Sequence, residues 1–252
     1  CDLDPLIAGA NAVVHLAAIT DATKSFENKD AVERNNHDAT ERVARACARL
    51  GVPMIHASST SVYGTQAEVV DETCGEDELK PQSPYAETKL REERLVQRLA
   101  RDEGLRAVTC RFGTIFGFSA GIRFHTAVNK FCWQAVAGQP LTVWQTAYDQ
   151  KRPYLDLKDA ARAVAFFIAT DLFDGRVYNV VTANATVRQV TDAIRAHVPD
   201  LGIDFVEARI MNQLSYEVRN TLLAEKGFTP IGSMEAGIAA TIRALRHSQS
   251  LA

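Results

Sequence analysis

A tyrosine and a lysine spaced one helical turn apart are the residues of this sequence best suited to proton transfer. Tyr85 and Lys89 follow Pro84, a residue that commonly starts helices. Residues four positions apart share a helix face, so the Lys89 ammonium can approach the Tyr85 ring. A free tyrosine has a pKa of about 10, and a nearby positive charge favours the phenolate and lowers that pKa. The pair predicts an acid or base that works near neutral pH, although a pair of this kind by itself also occurs on solvated helix faces.

A run of hydroxyl side chains forms a second candidate site. Ser58, Ser59, Thr60 and Ser61 directly follow a predicted strand at 52–57. Ligands of an open α/β sheet bind outside the carboxyl ends of its strands, so these hydroxyls would face that crevice. A turn that caps itself through local hydrogen bonds has the same composition. On this run alone, the self-capping turn is the favoured interpretation.

Alternating strands and helices would position these residues. Apolar runs predict buried parallel strands, and helical spacing of apolar residues predicts helices that Gly51 and Gly104 end. The strands are expected at 12–16, 52–57 and 106–111, and the helices at about 30–50 and 85–103. This alternation predicts an α/β fold with a doubly wound parallel sheet.

The pattern changes after Gly117. Helices are predicted at 122–137, 157–170, 186–197 and 234–246, and strands at 141–144, 177–180 and 203–206. We assign residues 1–117 to the sheet domain and residues 118–252 mainly to a smaller mixed α/β cap, with segments near 152–182 partly returning to the sheet. Because the chain opens at Cys1 partway through a β/α repeat, the sheet domain is expected to be N-terminally truncated.

Composition and charge narrow the function classes. The 252 residues are 46% hydrophobic, enough for a real core, and carry a net charge of −3 with acidic and basic residues interspersed. No basic stripe could neutralise a phosphate backbone, which argues against nucleic-acid binding, and the apolar stretches are too short to cross a bilayer. The five cysteines lack CxxC pairs, so free thiols in a reducing, cytoplasmic setting fit better than disulfides or a zinc site.

Six motifs occur in the order expected of one family. They are His15-Leu16-Ala17-Ala18, Asn36 with Thr40, Ser59 before Val62-Tyr63-Gly64, Tyr85 with Lys89, Arg111 through Gly117, and Arg152 with Asp159. In these motifs the chain resembles the extended short-chain dehydrogenase/reductases, also called the NAD-dependent epimerase/dehydratase family, over essentially its whole length. The resemblance implies a Rossmann-type sheet, a dinucleotide cofactor and a nucleotide-sugar substrate bound by the cap.

The resemblance also implies a catalytic centre built from three residues. Tyr85 would be the acid/base, and Lys89 would contact the nicotinamide ribose and tune Tyr85. Ser59 would form a hydrogen bond with the sugar oxygen that is oxidised. Ser58 is expected beside the cofactor together with Tyr85 and Lys89.

Further residues are expected to hold the cofactor. Leu16, Ala17 and Ala18 would line the dinucleotide by backbone contact, and Asn36 would support the loops around it. The alternatives are that the apolar trio is strand core and that Asn36 is a helix-surface amide. NAD is the expected cofactor, with NADP left open because the family's glycine-rich turn and cofactor-selecting residue do not occur in this sequence. The fragment alone is therefore expected to be inactive.

The resemblance assigns the substrate to Ser59, Thr60, Thr114, Trp144 and Arg152. Arg152 resembles the arginine that grips the diphosphate, a task that suits a guanidinium, against the alternative of a surface arginine. Trp144 would either stack on the nucleotide base or belong to the core. Thr114 replaces an asparagine that commonly touches the sugar nucleotide, so the identity of the sugar does not carry over.

The expected activity is epimerisation at C4 of a UDP-hexose or a similar donor. Dehydratases of the family often carry acidic residues just after the catalytic hydroxyl, whereas Thr60 and Ser61 stand there in this sequence. A nucleotide-sugar reductase or dehydratase is the alternative enzyme, and a catalytically silent dinucleotide-binding regulator is the alternative of another class. A homodimer through the helices near 30–50 and 85–103 is the expected assembly, although both helices also need their apolar faces for their own sheet.

Overall fold

The computed structural model of the chain describes residues 2–22, 24–64, 68–207 and 215–249. Its strands are β1 (Val13–His15), β2 (Met54–Ser59), β3 (Val69–Val70), β4 (Ala107–Phe112), β5 (Thr114–Phe116), β6 (Leu141–Trp144), β7 (Lys151–Asp156), β8 (Val177–Val180), β9 (Ala183–Thr186), β10 (Ile203–Val206) and β11 (Glu217–Val218). Its α-helices are α1 (Asp4–Ile7), α2 (Lys29–Val32), α3 (Ala39–Leu50), α4 (Pro84–Asp102), α5 (Ala127–Val136), α6 (Leu157–Ala169), α7 (Val187–Arg195), α8 (Thr221–Glu225) and α9 (Met234–Gln249).

A four-stranded parallel sheet in the order β1-β2-β4-β8 carries the candidate site. Successive residues of a strand face opposite sides of a sheet, and both sides of this sheet are covered. Met54 belongs to one core cluster with Leu95 and Leu99 of α4, whereas Ile55 belongs to another with Phe167 of α6. The predicted doubly wound α/β fold is therefore confirmed. The predicted strands at 12–16, 52–57, 106–111 and 177–180 are its four members.

A π-helical segment interrupts the helix predicted at 30–50. The chain passes from α2 through π-helical turns at Glu33–Asp38 into α3. Asn36 lies in this segment and is buried, and π-helical turns frequently occur at functional sites. Gly51 ends α3 with a φ of 68°, the left-handed conformation that glycine adopts without strain, as the sequence predicted.

The helix predicted at 85–103 is confirmed as α4, which carries both Tyr85 and Lys89. Its start follows from its first residues, because the Ser83 hydroxyl accepts a hydrogen bond from Ala86 N at 3.2 Å and Pro84 occupies the first turn. Gly104, with a φ of 69°, follows its end.

Residues after Gly117 build a further core cluster in which Phe131, Ile194 and Ile238, from α5, α7 and α9, are buried together. Strand β6 contributes to this cluster and pairs in parallel with β10. The helices predicted at 157–170, 186–197 and 234–246 and the strands predicted at 141–144 and 203–206 are present. None of the described helices combines the length and the apolar character needed to cross a membrane.

The predicted start of the helix at 122–137 is wrong, because α5 begins at Ala127. The Asn129 side chain accepts a hydrogen bond from Gly117 N and donates one to Arg123 O. These two bonds hold the preceding segment as a loop. The sequence pattern does not reveal them because they act between residues that are not on one helix face.

Several short strands escaped sequence analysis. The longest of them, β7, contains Pro153 and lies between β5 and β9. Proline lacks an N–H for the ladder, so it argues against a strand. The strands β3, β5, β9 and β11 span two to four residues each, too few to show a period.

Candidate active site

Ser59 and Tyr85 meet at the carboxyl end of β2. Ser59 is the last residue of this strand, and its hydroxyl is near enough to the Tyr85 phenol to favour the phenolate and lower the pKa of Tyr85. Ser61 donates to the same Ser59 oxygen from its N–H and its hydroxyl, at 3.2 and 2.9 Å. The self-capping turn and the candidate site therefore coexist, because one hydroxyl takes part in both.

The pKa of Tyr85 lies above its ordinary value. Burial is the main cause, and the negative charge of Glu92 raises the pKa further, whereas the hydrogen bond with Ser59 lowers it. The sequence predicted that Lys89 lowers the pKa of Tyr85. That prediction is wrong, because this pKa is raised. The reason lies in where the lysine ammonium is bound.

The Lys89 ammonium is anchored beneath the site. It donates to the Ala57 carbonyl at 2.8 Å and to Glu92 Oε2 at 2.9 Å, and only 3% of the residue is exposed. Lys89 and Tyr85 start from one face of α4, as predicted. However, a buried ammonium must be paired, and Glu92, three positions further along the helix, supplies the carboxylate.

His56 extends this buried network into the sheet. Its Nε2 lies 2.9 Å from Glu92 Oε2, and its Nδ1 lies 3.3 Å from Thr109 Oγ1. Burial lowers the pKa of His56, so the ring is neutral near pH 7 and donates from Nε2 to the carboxylate. Burial opposes ionisation of Glu92, but His56 and Lys89 outweigh it and lower the pKa of Glu92 to about 2.

A second buried ion pair lies beside the first one. Arg111 donates to both oxygens of Glu93, with a shortest distance of 2.7 Å, and its guanidinium lies 4.8 Å from the centre of the Tyr63 ring. The Ser58 hydroxyl donates to Glu93 as well. Ser58 is thus directed into the protein and is only 4% exposed. Its contact with a cofactor remains a prediction.

The loop after β1 presents apolar residues at the surface. Leu16 is 62% exposed, Ala17 is exposed and Ala18 is half-buried, so the alternative that the trio is strand core is wrong. Asn36 is buried and holds this loop from below: it accepts from Ile19 N at 2.8 Å and donates to Ile19 O at 3.0 Å. It is therefore not a helix-surface amide, and its predicted role beside a cofactor stays a prediction.

Three of the predicted substrate residues lie on strands outside the central sheet. Arg152 on β7 is half-buried and donates to Gln150 Oε1 at 2.8 Å. Thr114 on β5 is half-buried and pairs in register with Tyr154 of β7. Trp144 is 42% exposed, so it does not belong to the core. Stacking of Trp144 on a nucleotide base stays a prediction.

Tyr216 links the neighbourhood of Arg152 to the end of β2. Its hydroxyl donates to the Thr60 carbonyl at 3.2 Å, and the charge of Arg152 acts on its phenol. The Thr60 side chain is 4% exposed and approaches the Phe112 carbonyl at 3.4 Å. Thr60 therefore offers little of its side chain to a substrate, and its predicted role remains untested.

Sequence analysis did not single out His56, Glu92, Glu93 or Tyr216. A signal existed for the two glutamates, because they fall on the face of α4 that Lys89 shares and that packs against the sheet. A histidine within the otherwise apolar start of β2 was a further signal, since a buried imidazole needs partners. Tyr216 carried no comparable signal.

Comparison with known proteins decides the family. The model of the NAD dependent epimerase/dehydratase family matches residues 2–181. The chain belongs to this family. The resemblance that the six motifs indicated is thereby confirmed.

Curated relatives cover most of this chain. The trifunctional UDP-glucose 4,6-dehydratase/UDP-4-keto-6-deoxy-D-glucose 3,5-epimerase/UDP-4-keto-L-rhamnose-reductase RHM2 of Arabidopsis thaliana is 31% identical over 242 residues, 91% of this chain and 35% of that protein. The chain thus spans about a third of the length of this relative. The uncharacterized UDP-glucose epimerase YtcB of Bacillus subtilis (strain 168) is 28% identical over 198 residues, 77% of this chain and 60% of that protein.

A solved structure shares this fold over the whole length of the chain. The structure of MoeE5 in complex with UDP-glucose and NAD matches with a TM-score of 0.86 at 27% identity. The match covers 100% of this chain and 84% of that chain.

Proposed function

We propose that this chain carries the catalytic centre of an NAD-dependent nucleotide-sugar epimerase in which Tyr85 exchanges a proton with the C4 hydroxyl of a UDP-hexose. The contact between Tyr85 and Ser59 at the carboxyl end of β2, above the buried Lys89, is the observation that carries the proposal. Membership in the family supports it. So do the relatives whose names describe UDP-glucose chemistry.

Tyr85 and Ser59 divide the proton chemistry between them. Because the pKa of Tyr85 lies above its ordinary value, only a small fraction of the residue is phenolate near neutral pH. This fraction removes the proton from the sugar hydroxyl, while Ser59 donates a hydrogen bond to the same oxygen. When bound, NAD would supply the redox chemistry, as the acceptor and then the donor of the hydride of the sugar carbon. When the carbonyl is reduced, Tyr85 gives its proton back to the oxygen, so no proton or electron is consumed overall.

The loop after β1 has the properties that a dinucleotide site requires. Its exposed Leu16 and Ala17 stand directly at the carboxyl end of a parallel strand, the edge where open α/β sheets bind nucleotides. Covering an exposed apolar side chain with a planar ring is favourable, and Asn36 fixes the loop beneath it. MoeE5, at 27% identity, is a complex with NAD, which supports NAD as the cofactor.

The substrate is proposed to extend from Ser59 towards Arg152. Tyr216 links Thr60 to the neighbourhood of Arg152, and a guanidinium suits a diphosphate because its N–H groups match two phosphate oxygens. Thr114 would face the sugar nucleotide and Trp144 its base. Residues 118–252 would therefore supply most of the substrate contacts, and residues 1–117 most of the cofactor contacts.

A nucleotide-sugar dehydratase is the second candidate, and the name of the Arabidopsis relative favours it. Dehydration needs an acid that protonates the leaving hydroxyl. Thr60 and Ser61, which follow Ser59, carry no carboxyl group, while Glu92 and Glu93 are held in ion pairs within the protein. This arrangement favours epimerisation.

The product distinguishes the two reactions. The intact protein is incubated with UDP-hexoses, and the C4 configuration is followed by NMR together with the mass of the sugar nucleotide. The proposal expects inversion at C4, an unchanged mass and no net formation of NADH. Loss of one water from the sugar would contradict it in favour of the dehydratase.

The proposal also covers the oligomeric state and the cellular compartment of the protein. We propose a homodimer through the helices near 30–50 and 85–103, which pack side by side in the described chain. We also propose a cytoplasmic setting, which the free thiols of Cys47, Cys74, Cys110 and Cys132 support. Light scattering on the intact protein tests the dimer, which a monomer mass would contradict.

A further inference from the structure

Glu92 is a buried carboxylate whose presence packing alone does not explain. It is fully buried on α4, and one of its oxygens, Oε2, lies 2.9 Å from both Lys89 Nζ and His56 Nε2. The other oxygen, Oε1, is buried without a hydrogen-bond partner among the described residues. Burying a carboxylate that is only half satisfied costs stability. A residue that keeps such a cost next to a catalytic centre is a candidate for a functional role.

Of the ionisable groups around Glu92, most are neutral or paired with another partner. His56 of β2 and His15 of β1 are neutral near pH 7, because burial lowers the pKa of each. Glu93 of α4 is neutralised by Arg111 of β4. The charges that remain in this cluster are therefore the positive charge of Lys89 and the negative charge of Glu92, which lie 2.9 Å apart and have opposite effects on a nearby phenol.

We propose that Glu92 is a positioning residue that holds Lys89 on the Ala57 carbonyl and offsets the charge of Lys89 beside Tyr85. The inference rests on the proposed role of Tyr85 as the acid/base. It assigns His56 the task of orienting the Glu92 carboxylate. The negative charge of Glu92, after burial, raises the pKa of Tyr85, in agreement with this role.

Replacing Glu92 with glutamine tests the inference. Glu92→Gln keeps the shape and an oxygen that accepts from Lys89 and His56, but it removes the charge. The limb of the kcat/KM profile on the acidic side, which reports the base, is expected to move about 1 pH unit lower. Glu92→Asp keeps the charge and is expected to leave this limb near its wild-type position. A limb that does not move in Glu92→Gln, or that moves equally in Glu92→Asp, overturns the inference.

Glu87 provides the matched control. It lies on the same helix two residues from Tyr85, but its side chain is 47% exposed and pairs with Lys29 at 3.5 Å. Glu87→Gln removes one negative charge in water, where screening is strong. The acidic limb of this control is expected to stay in place. A shift equal to that of Glu92→Gln would mean that general surface charge is responsible, and it would overturn the inference.

A direct titration separates this inference from the proposed function. The ultraviolet absorbance of the Tyr85 phenolate is measured against pH as the difference between each protein and its Tyr85→Phe derivative. A lower titration midpoint of Tyr85 in Glu92→Gln supports the inference even if the protein converts no UDP-hexose. Absence of conversion would contradict only the proposed epimerase activity. If Glu92→Gln does not fold, His56→Leu/Glu92→Leu removes the pair with apolar side chains. The same downward shift is expected there, and an unchanged midpoint overturns the inference.

Discussion

Residue types and spacing located the reactive phenol and hydroxyl, but not the groups that set their charge. Tyr85 and Ser59 were predicted from motifs, and the structure brings them into contact. The contact of Lys89 with the Ala57 carbonyl depends on the fold, because these residues stand 32 positions apart in the sequence and meet only when α4 covers β2. A local i, i+4 argument therefore gave the right face of the helix and the wrong direction for the pKa of Tyr85.

Asn36 gives the first prediction at this scale. Asn36→Ala removes both hydrogen bonds to the Ile19 backbone, so we expect the free energy of unfolding to fall by about 1–3 kcal/mol. The loosened loop after β1 should also weaken NAD binding by about tenfold, since one hydrogen-bond energy corresponds to that factor. Urea unfolding and calorimetric titration with NAD measure the two effects.

Asn35 serves as the neighbouring control. Its side chain is exposed and donates to Ala31 O, one helical turn back. Asn35→Ala is expected to leave NAD affinity unchanged. Equal losses of affinity in both variants would show that the loop contact of Asn36 has no special part in cofactor binding.

At the scale of elements, long segments with a clear period were predictable and short ones were not. The helix α4 and the strands of the central sheet follow from apolar spacing and from glycines that end them. The start of α5 depends on the side-chain hydrogen bonds of Asn129. Strand β7 was not predicted because Pro153 argued against a strand there. The candidate site needs both kinds of element, because Arg152 lies on β7.

The cap of α4 links helix stability to activity. Ser83→Ala removes the hydroxyl that accepts from Ala86 N, and we expect a loss of about 1 kcal/mol in the free energy of unfolding. Because Tyr85 lies in the first turn of this helix, fraying there should also lower kcat. Thermal or urea unfolding and steady-state turnover are measured on the same samples.

Ser233 offers a control with the same chemistry elsewhere. Its hydroxyl accepts from Ala236 N at 3.1 Å at the start of α9. Ser233→Ala should cost similar stability without lowering kcat. If both variants lose turnover in proportion to stability, the cap of α4 has no separate influence on Tyr85.

On the scale of the whole molecule, the sheet gathers buried ionisable groups from several strands and ties stability to pH. His15 at the end of β1 lies 3.1 Å from Thr40 Oγ1. Burial, followed by the nearby charges of His56 and Lys89, lowers its pKa from 6.5 to about 4. The folded state therefore binds this proton less readily than the unfolded state does. Its contribution is present above pH 6.5 and is lost as the pH falls towards 4.

Replacing His15 should flatten this pH dependence. In His15→Gln the side chain stays polar beside Thr40 but cannot be protonated. We expect the loss of unfolding free energy between pH 6.5 and 4 to be about 2–3 kcal/mol smaller than in the wild type. Urea unfolding across this range measures it, with His125→Gln as the control because His125 is exposed. A wild-type slope in His15→Gln would contradict the account.

The turnover of Tyr85→Phe tests the central claim most directly. This change removes one hydroxyl from the half-buried phenol and keeps the ring. We predict that conversion between UDP-hexose C4 epimers by the intact protein slows by at least about 100-fold, because a general acid/base is lost, while the affinities for NAD and the sugar nucleotide stay within about twofold. Wild-type turnover by Tyr85→Phe would contradict the assignment of Tyr85 as the group that exchanges the proton.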